Sequence, residues 1–326
     1  MKTKILTILK EQPGFVSGQA LCGWLGVSRT AVWKVIKQLE EEGYVIEAVR
    51  NKGYRLVEAA DVMTEAEIGS QLCTERMGRS LVYLPQTDST NIYARKLAQK
   101  GYPDGTLVVA ESQTAGKGRR GRNWSSPAGS SIYMSLLLRP DIPPYCASMI
   151  TLVAGMAVSQ AVGEMTGLPA RIKWPNDVVV NGRKICGILT EMSTEMESIH
   201  YIVTGIGINV NQQDFPEEIM ATATSLRIEA AKKISRSALI ACTMAWFEVY
   251  YDQFLKTKDL SLLKAGYETM LANMGQEVLV LDPDGTYKGI CRGIDEAGRL
   301  LVDTLEGEPK RVLSGEVSVR GIYGYV

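Results

Sequence analysis

The hydrophobic pattern of this chain changes period twice, near residues 62 and 270, and no single packed layer accommodates all three patterns. Up to residue 62 apolar residues recur at helical spacing and end in one hairpin. From 63 to 270 strand-like and helix-like runs alternate. From 271 to 326 only short alternating runs remain, punctuated by Asp284-Gly285, Ala297-Gly298 and Glu306-Gly307. A chain of 326 residues also exceeds one ordinary core. Three domains are therefore expected: 1–62, 63–270 and 271–326. The fold class is a multi-domain α/β (α+β) protein with a mixed central sheet and a small all-β barrel at the end.

In the first segment residues 2–11 predict a helix stopped by Pro13-Gly14. The partly apolar MKTKILTILKEQPG lacks a small-residue cleavage site, so an amphipathic helix fits it better than a signal peptide. Ser17 caps a second helix that ends at Gly26. Ser28 caps a third, RTAVWKVIKQLEEEG, with Val32, Val35, Ile36 and Leu39 on one face. YVIEAV and YRLVEA flank a turn at Asn51-Lys52-Gly53, a hairpin with Arg50, Lys52 and Arg55 near its tip. This succession is that of a winged helix-turn-helix. Residues 1–55 carry nine Lys/Arg against five Asp/Glu, a balance compatible with nucleic acid. The expected DNA contacts are Ser28, Arg29, Thr30, Lys34 and Lys37 on the third helix, and Arg50 and Lys52 on the wing. Arg29, Lys34 and Lys37 have no acidic neighbour between Gln12 and Leu39, which leaves them for phosphates or base edges. A helix pair used only for protein contact is the alternative.

In the central segment LVYL, TLVVAES, SIYMSLLLR, RIKW, DVVVN, ICGILTEM and YIVTGIGINV are strand candidates. TNIYARKLAQKG, SMITLVAGMAVSQAVGEMTG and SALIACTMAWFEVYYDQFL are helix candidates. No stretch is expected to supply the ~20 apolar residues of a membrane span, so neither a membrane partner nor a location outside the cytoplasm is anticipated. The six cysteines are scattered with no C-x-x-C pair, the pattern of reduced thiols. The single histidine, His200, lies in the strand-like ESIHYIVTG and makes a histidine triad or a protein-held metal unexpected. Chemistry here falls to lysines, arginines, carboxylates and backbone groups.

Residues 115–124, AGKGRRGRNW, combine three glycines with four cations and no aliphatic side chain larger than Ala115. Such a loop buries too little apolar surface to offset its ordering entropy, so it is expected to be mobile when empty. Glycine lets the backbone approach a ligand, and the cations favour an anion. Taken alone, an RNA-binding loop or an exposed basic turn remains open. Its neighbours narrow the choice. Asp88-Ser89-Thr90-Asn91 precedes a helix, where plain N-capping is the alternative reading. KWPND follows a strand bearing Arg171 and Lys173, and Asn181-Gly182 is a strong hairpin turn that brings back Lys184. GIGINVN is a strand with two glycines, for which a bulge or tight helix packing is the alternative.

GKGRRGRNW, STN, KWPNDV…NGRKICGIL and GIGINVN, in this order, resemble the biotin–protein ligase family. The winged helix-turn-helix ahead of them is similar to that of its bifunctional members, which also repress biotin genes, and the C-terminal segment to their SH3-like barrel. Lys117 departs from the arginine frequent in those relatives, keeping charge without the bidentate fork. The resemblance implies two steps: biotin and ATP, with Mg²⁺, give biotinyl-5′-AMP, and a lysine of a biotin carboxyl carrier domain then takes the biotin. It further implies Arg119, Arg122 and Lys184 as the catalytic cations. The biotin contacts implied are Ser89, Thr90, Asn91, Gln113, Lys117, Gly118, Arg119 and Lys184. Those implied for the nucleotide are Arg119, Arg122, Trp124, Lys173, Asn176, Asp177, Lys184 and Asn209. Trp124 and residues 212–226 are both candidates to cover the adenine. A homodimer on operator DNA, with biotinyl-5′-AMP as corepressor, completes the expectation. The rivals are a lipoate-type ligase on the same fold and a ligand-sensing repressor without catalysis. The second would need about one cation for a monoanion, fewer than this site offers.

Overall fold

The structure, a computed structural model, describes residues 1–195, 198–282, 285–304, 307, 309–313, 318–321 and 325–326. Helices α1 (Lys2–Glu11), α2 (Gly18–Leu25) and α3 (Arg29–Glu41) precede the hairpin β1 (Val45–Val49) and β2 (Gly53–Glu58). The Ser17 and Ser28 hydroxyls accept from the N–H groups of Ala20 at 3.0 Å and Ala31 at 3.2 Å, the caps expected of both serines. Gly26, at φ 65°, ends α2 and turns the chain into α3. Ile5, Leu6, Leu9, Leu21 and the α3 stripe Val32, Val35, Ile36 and Leu39 form a core of their own, closed by Tyr44. Gly53, at φ +110°, seats the wing on the backbone before α2, where a Cβ would fall 2.0 Å from the Val16 carbonyl oxygen.

The central region comprises α4 (Glu65–Gly69), β3 (Leu81–Leu84), α5 (Thr90–Gln99), β4 (Thr106–Ala110), β5 (Ile132–Leu138), α6 (Met149–Thr166), β6 (Arg171–Lys173), β7 (Asp177–Val180), β8 (Arg183–Glu195), β9 (Ser198–Ile208), α7 (Glu217–Met220), α8 (Leu226–Ala230), α9 (Arg236–Thr257) and α10 (Lys264–Met270). Its seven strands run in the order β3-β4-β5-β9-β8-β7-β6, with β3 and β4 parallel and the other neighbours antiparallel. The strand period of two divides the side chains between two layers. Val108, Leu137 and Val203 meet α5, whereas Leu107, Val109, Leu136 and Ile202 join α6 and α9 in the main core. The short helices α4, α7, α8 and α10 have no counterpart in the sequence expectations, because four to seven residues are too few for a periodic apolar stripe.

One expectation is corrected: Pro144–Thr166 is long and apolar enough to cross a membrane. However, 78% of its apolar window is buried inside the protein. It is apolar on all sides because α9 covers one side and the sheet another.

The C-terminal strands β10 (Glu277–Asp282), β11 (Gly285–Ile294), β12 (Leu300–Thr304), β13 (Pro309–Val312) and β14 (Ser318–Gly321) form an antiparallel sheet in the order β13-β12-β11-β10-β14. The expected turn residues Asp284 and Glu306, and residues 316, 317 and 322 of the expected last strand, lie outside the described residues. Val278, Val280, Cys291 and Leu300 belong to the same core as α6, and Trp174 Nε1 donates to the Gly298 carbonyl at 3.1 Å. This sheet therefore rests directly on the segment that carries KWPND.

The winged segment meets the central region through a buried carboxylate. Glu67, 2% exposed, accepts from Lys10 Nζ at 2.5 Å, Tyr44 Oη at 2.5 Å and Gln71 Nε2 at 2.8 Å. Burial, and then the bond to Glu67, push the Tyr44 phenol up, so it stays a donor. Replacing Lys10 with Ala leaves that carboxylate without its cation, and should destabilise the protein by about 2–4 kcal/mol in urea denaturation. A change under about 0.5 kcal/mol, within the range of ordinary surface substitutions, would refute this reading of the contact.

Candidate active site and DNA-binding face

Three glycines open a trough across the sheet. Gly187 of β8 pairs with Gly207 of β9, and Gly205 lies two residues before it. A Cβ on Gly205 would stand 2.2 Å from Asn91 Oδ1, one on Gly207 2.7 Å from Trp124 Nε1, and one on Gly187 2.9 Å from Trp124 Cζ3. These glycines serve side chains that lie directly on bare backbone, so the bulge reading of GIGINVN does not hold.

At one end of the trough the start of α5 presents Ser89, Thr90 and Asn91, all buried. Ser89 makes no capping hydrogen bond with its side chain, which lines the cavity instead. Gln113 fixes Thr90 by accepting from its N–H at 2.9 Å, and donates through Nε2 to Ser126 Oγ at 2.9 Å. Asn91 donates to Glu191 Oε2 at 2.7 Å and accepts from the buried Ser135 hydroxyl at 2.6 Å. The result is a rank of polar groups whose amide and hydroxyl orientations are set by their hydrogen-bond partners.

The glycine- and arginine-rich loop closes the side of this cavity. Its ends are tied by a Lys117–Asn123 bridge and by the Trp124 N–H, which donates to the Gly116 carbonyl at 2.9 Å. Its tip turns through Arg120 at φ 57° and Gly121 at φ 69°. Arg119 reaches inward and donates to Asn176 Oδ1 at 2.8 Å. Burial, and then the nearby Arg120 and Arg122, lower the Arg119 pKa against the opposing pull of Asp177. A guanidinium held under those conditions gains from an incoming anion.

The Asn181-Gly182 turn, at φ 49° and 75°, is the expected hairpin and brings Lys184 back beside Asp177. Lys184 Nζ is 2.6 Å from Asp177 Oδ1 and 5.3 Å from the centre of the Trp124 ring. Asn176 Nδ2 donates to the same oxygen at 3.1 Å. Asn209 Nδ2 donates to the Thr224 carbonyl at 3.1 Å, which ties β9 to the segment before α8.

The structure brings the anticipated ligand residues to two adjoining cavities. Ser89, Thr90, Asn91, Gln113 and Lys117 line the first; Arg122, Lys173, Asp177 and Asn209 line the second. Gly118, Arg119, Trp124, Asn176 and Lys184 line both, so the loop and Lys184 stand at the junction. Among the described lining residues, Lys117, Arg119, Arg120, Arg122, Lys173 and Lys184 face one carboxylate, Asp177. Sequence reasoning missed Ser126, Ser135 and Glu191, which look like ordinary loop and strand residues. It also missed Tyr325, which lines the second cavity from far along the chain; Phe215 and Ile219, on its apolar side, fall within the segment 212–226.

On the winged segment Arg29, Thr30, Lys34 and Lys37 are exposed on α3, and Arg50 and Lys52 on the wing. Arg29, Arg50 and Lys52 border one groove between wing and helices. Ser28 is occupied as the cap of α3. Two departures concern free charge. Lys37 pairs with Glu40 at 2.6 Å, one residue beyond the acid-free stretch, and Arg55 pairs with Glu47 at 2.6 Å across the hairpin. Arg29 also donates to Gln19 Oε1 at 2.7 Å. Exposed pairs are worth only about 0.2–1 kcal/mol, so phosphates can displace them.

Two cavities thus meet on the mixed sheet, one walled by the polar start of α5 and the other mainly by cations. The family model described as Biotin/lipoate A/B protein ligase family matches residues 83–209. An HTH domain matches 2–55, and the Biotin protein ligase C terminal domain matches 274–320. The chain is 44% identical over 320 residues to the Bifunctional ligase/repressor BirA of Bacillus subtilis, covering 97% of this chain and 98% of that one. It is 32% identical to the BirA of Escherichia coli, covering 94% and 93%. The biotin protein ligase of Aquifex aeolicus in complex with biotin and ATP superposes with a TM-score of 0.66 at 35% identity, over 74% of this chain and 99% of that one. The chain belongs to the bifunctional biotin ligase/repressor family.

Proposed function

We propose that this chain makes biotinyl-5′-AMP from biotin and MgATP, passes the biotin to a lysine of a biotin carboxyl carrier domain, and represses transcription with the adenylate as corepressor. The observation that carries the ligase reading is the pair of cavities meeting at Arg119 and Lys184. Ser89, Thr90, Asn91 and Gln113 offer donors and acceptors that match the N–H and C=O groups of a ureido ring. The biotin carboxylate then points to the junction, where the loop backbone at Lys117 and Gly118 meets its tail. The second cavity takes the nucleotide, with Trp124 between the two ligands and Arg122, Lys173, Asn176 and Asn209 around the phosphates and ribose.

In the first step a carboxylate oxygen attacks the α-phosphorus, and the bond to the β-phosphate oxygen breaks as pyrophosphate leaves. Two anions approach one another, and fixed cations in a water-poor site lower the cost of that approach. Arg119 and Lys184 stand where both charges arrive, and Arg122 faces the nucleotide side. Among the described lining residues Asp177 is the one carboxylate and is already paired with Lys184, so Mg²⁺ enters with the polyphosphate as part of the substrate. In the second step the carrier amine attacks the acyl carbon, AMP departs with the bonding electrons, and the amine loses its proton. Closure of residues 116–123 over the adenylate keeps water from the anhydride until then.

Repression rests on the exposed basic face of α3 and the wing. One such module binds DNA weakly, so a homodimer spanning two half-sites is required. A cytoplasmic location follows from substrates and DNA that meet there, and all six cysteines are free thiols. Incubation with biotin, MgATP and a carrier domain should yield one biotinylated lysine by mass spectrometry. A carrier left unmodified would reject the ligase assignment.

A further inference from the structure

The geometry points to Tyr325 as a positioning residue of the nucleotide cavity, supplied by the C-terminal region; the inference rests on the assignment of that cavity to MgATP. Tyr325 is about 150 residues away in sequence from KWPND and shares no motif with it. Yet its hydroxyl donates to Asp177 Oδ2, and its ring lies 4.2 Å from Lys173 Nζ in a cation–π contact. Lys173 is only 6% exposed and Asp177 7% exposed, so both contacts are made away from bulk water.

Asp177 poses an electrostatic problem that Tyr325 addresses. Its Oδ1 is held by Lys184 and Asn176, and its Oδ2 by Tyr325. When a polyphosphate arrives, Lys184 must turn from Asp177 toward the new anion. That motion leaves a nearly buried carboxylate facing phosphate oxygens, an arrangement that costs free energy unless other donors hold it. The Tyr325 hydroxyl and the Asn176 amide remain as those donors. The same ring keeps the Lys173 ammonium at the cavity wall, where it can meet the phosphates. Tyr325 thus acts through Asp177 and Lys173, and the C-terminal sheet becomes part of the nucleotide site.

Two variants separate its functions: Tyr325→Phe removes the hydroxyl and keeps the ring, and Tyr325→Leu removes both. Affinity for a non-hydrolysable MgATP analogue is measured by calorimetry on the full chain, beside the KM values for ATP and biotin and the thermal midpoint. Tyr325→Phe should weaken analogue binding and raise the KM for ATP by about 5–10-fold, the net worth of one ordinary hydrogen bond. Tyr325→Leu should weaken both by about 10–100-fold, because the cation–π contact goes too. Biotin affinity, measured without nucleotide, should match the wild type in both. Analogue affinities equal to wild type, or losses that fall equally on biotin and follow a lowered thermal midpoint, would overturn the inference. A wild-type chain that binds the analogue but makes no biotinyl-AMP counts against the ligase reading, while the affinity comparison still decides the role of Tyr325.

Discussion

Replacing Arg119 with Ala should slow biotinyl-AMP formation by about 10²–10³-fold, the usual cost of losing one donor aimed at transition-state charge. The fold should survive, because Arg119 belongs to a loop outside the sheet and its guanidinium donates to Asn176. Arg119 sits in a setting that favours an anion: burial, and then its neighbours Arg120 and Arg122, lower its pKa against the opposing pull of Asp177. Neutralisation by substrate relieves that repulsion at the moment the carboxylate meets the α-phosphorus. Single-turnover formation of the adenylate checks this. A variant that reacts at the wild-type rate would remove Arg119 from the chemistry.

Much of this site was legible because its chemistry depends on glycine and on local turns. Gly187, Gly205 and Gly207 are needed where Asn91 and the Trp124 indole touch backbone, and Asn181-Gly182 sets the hairpin that returns Lys184. Ser17 and Ser28 marked two helix starts because a cap works through the next three residues. What escaped was long-range. Ser135 and Glu191 sit in strands that read as ordinary sheet, and only the pairing of β5, β9 and β8 brings them to Asn91. Tyr325 reaches Asp177 only after the C-terminal sheet docks. The pairing of Lys37 with Glu40 obeys the i,i+3 rule, with Glu40 one residue past the acid-free stretch.

The second large effect joins the two ends of the molecule. The segment after the wing is tied to the ligand-bearing strands by Arg236, which is 3% exposed. Arg236 contacts Asp61 at 3.3 Å and Glu111, two residues before Gln113, at 2.7 Å. Asn211, two residues beyond Asn209, donates to Asp61 Oδ2 at 3.3 Å. A cut after residue 62 should abolish DNA binding, but it also strips Asp61 from Arg236, and Lys10 and Tyr44 from Glu67. Losing charge on the DNA face is cleaner. The double replacement Arg29→Ala and Lys34→Ala should weaken operator binding at least about 10-fold at fixed salt, and leave ligation unchanged.

The claim that one chain couples both activities is tested most directly by titrating operator DNA at one salt concentration, with and without biotinyl-AMP. A ligand that favours the operator-competent state must bind that state more tightly by the same free energy. Operator affinity should rise at least about 10-fold with the adenylate, within the usual 1–3 kcal/mol of allosteric coupling, and fall again when unbiotinylated carrier consumes it. Equal operator affinity with and without biotinyl-AMP would contradict the account, and leave a ligase joined to an unrelated DNA-binding arm.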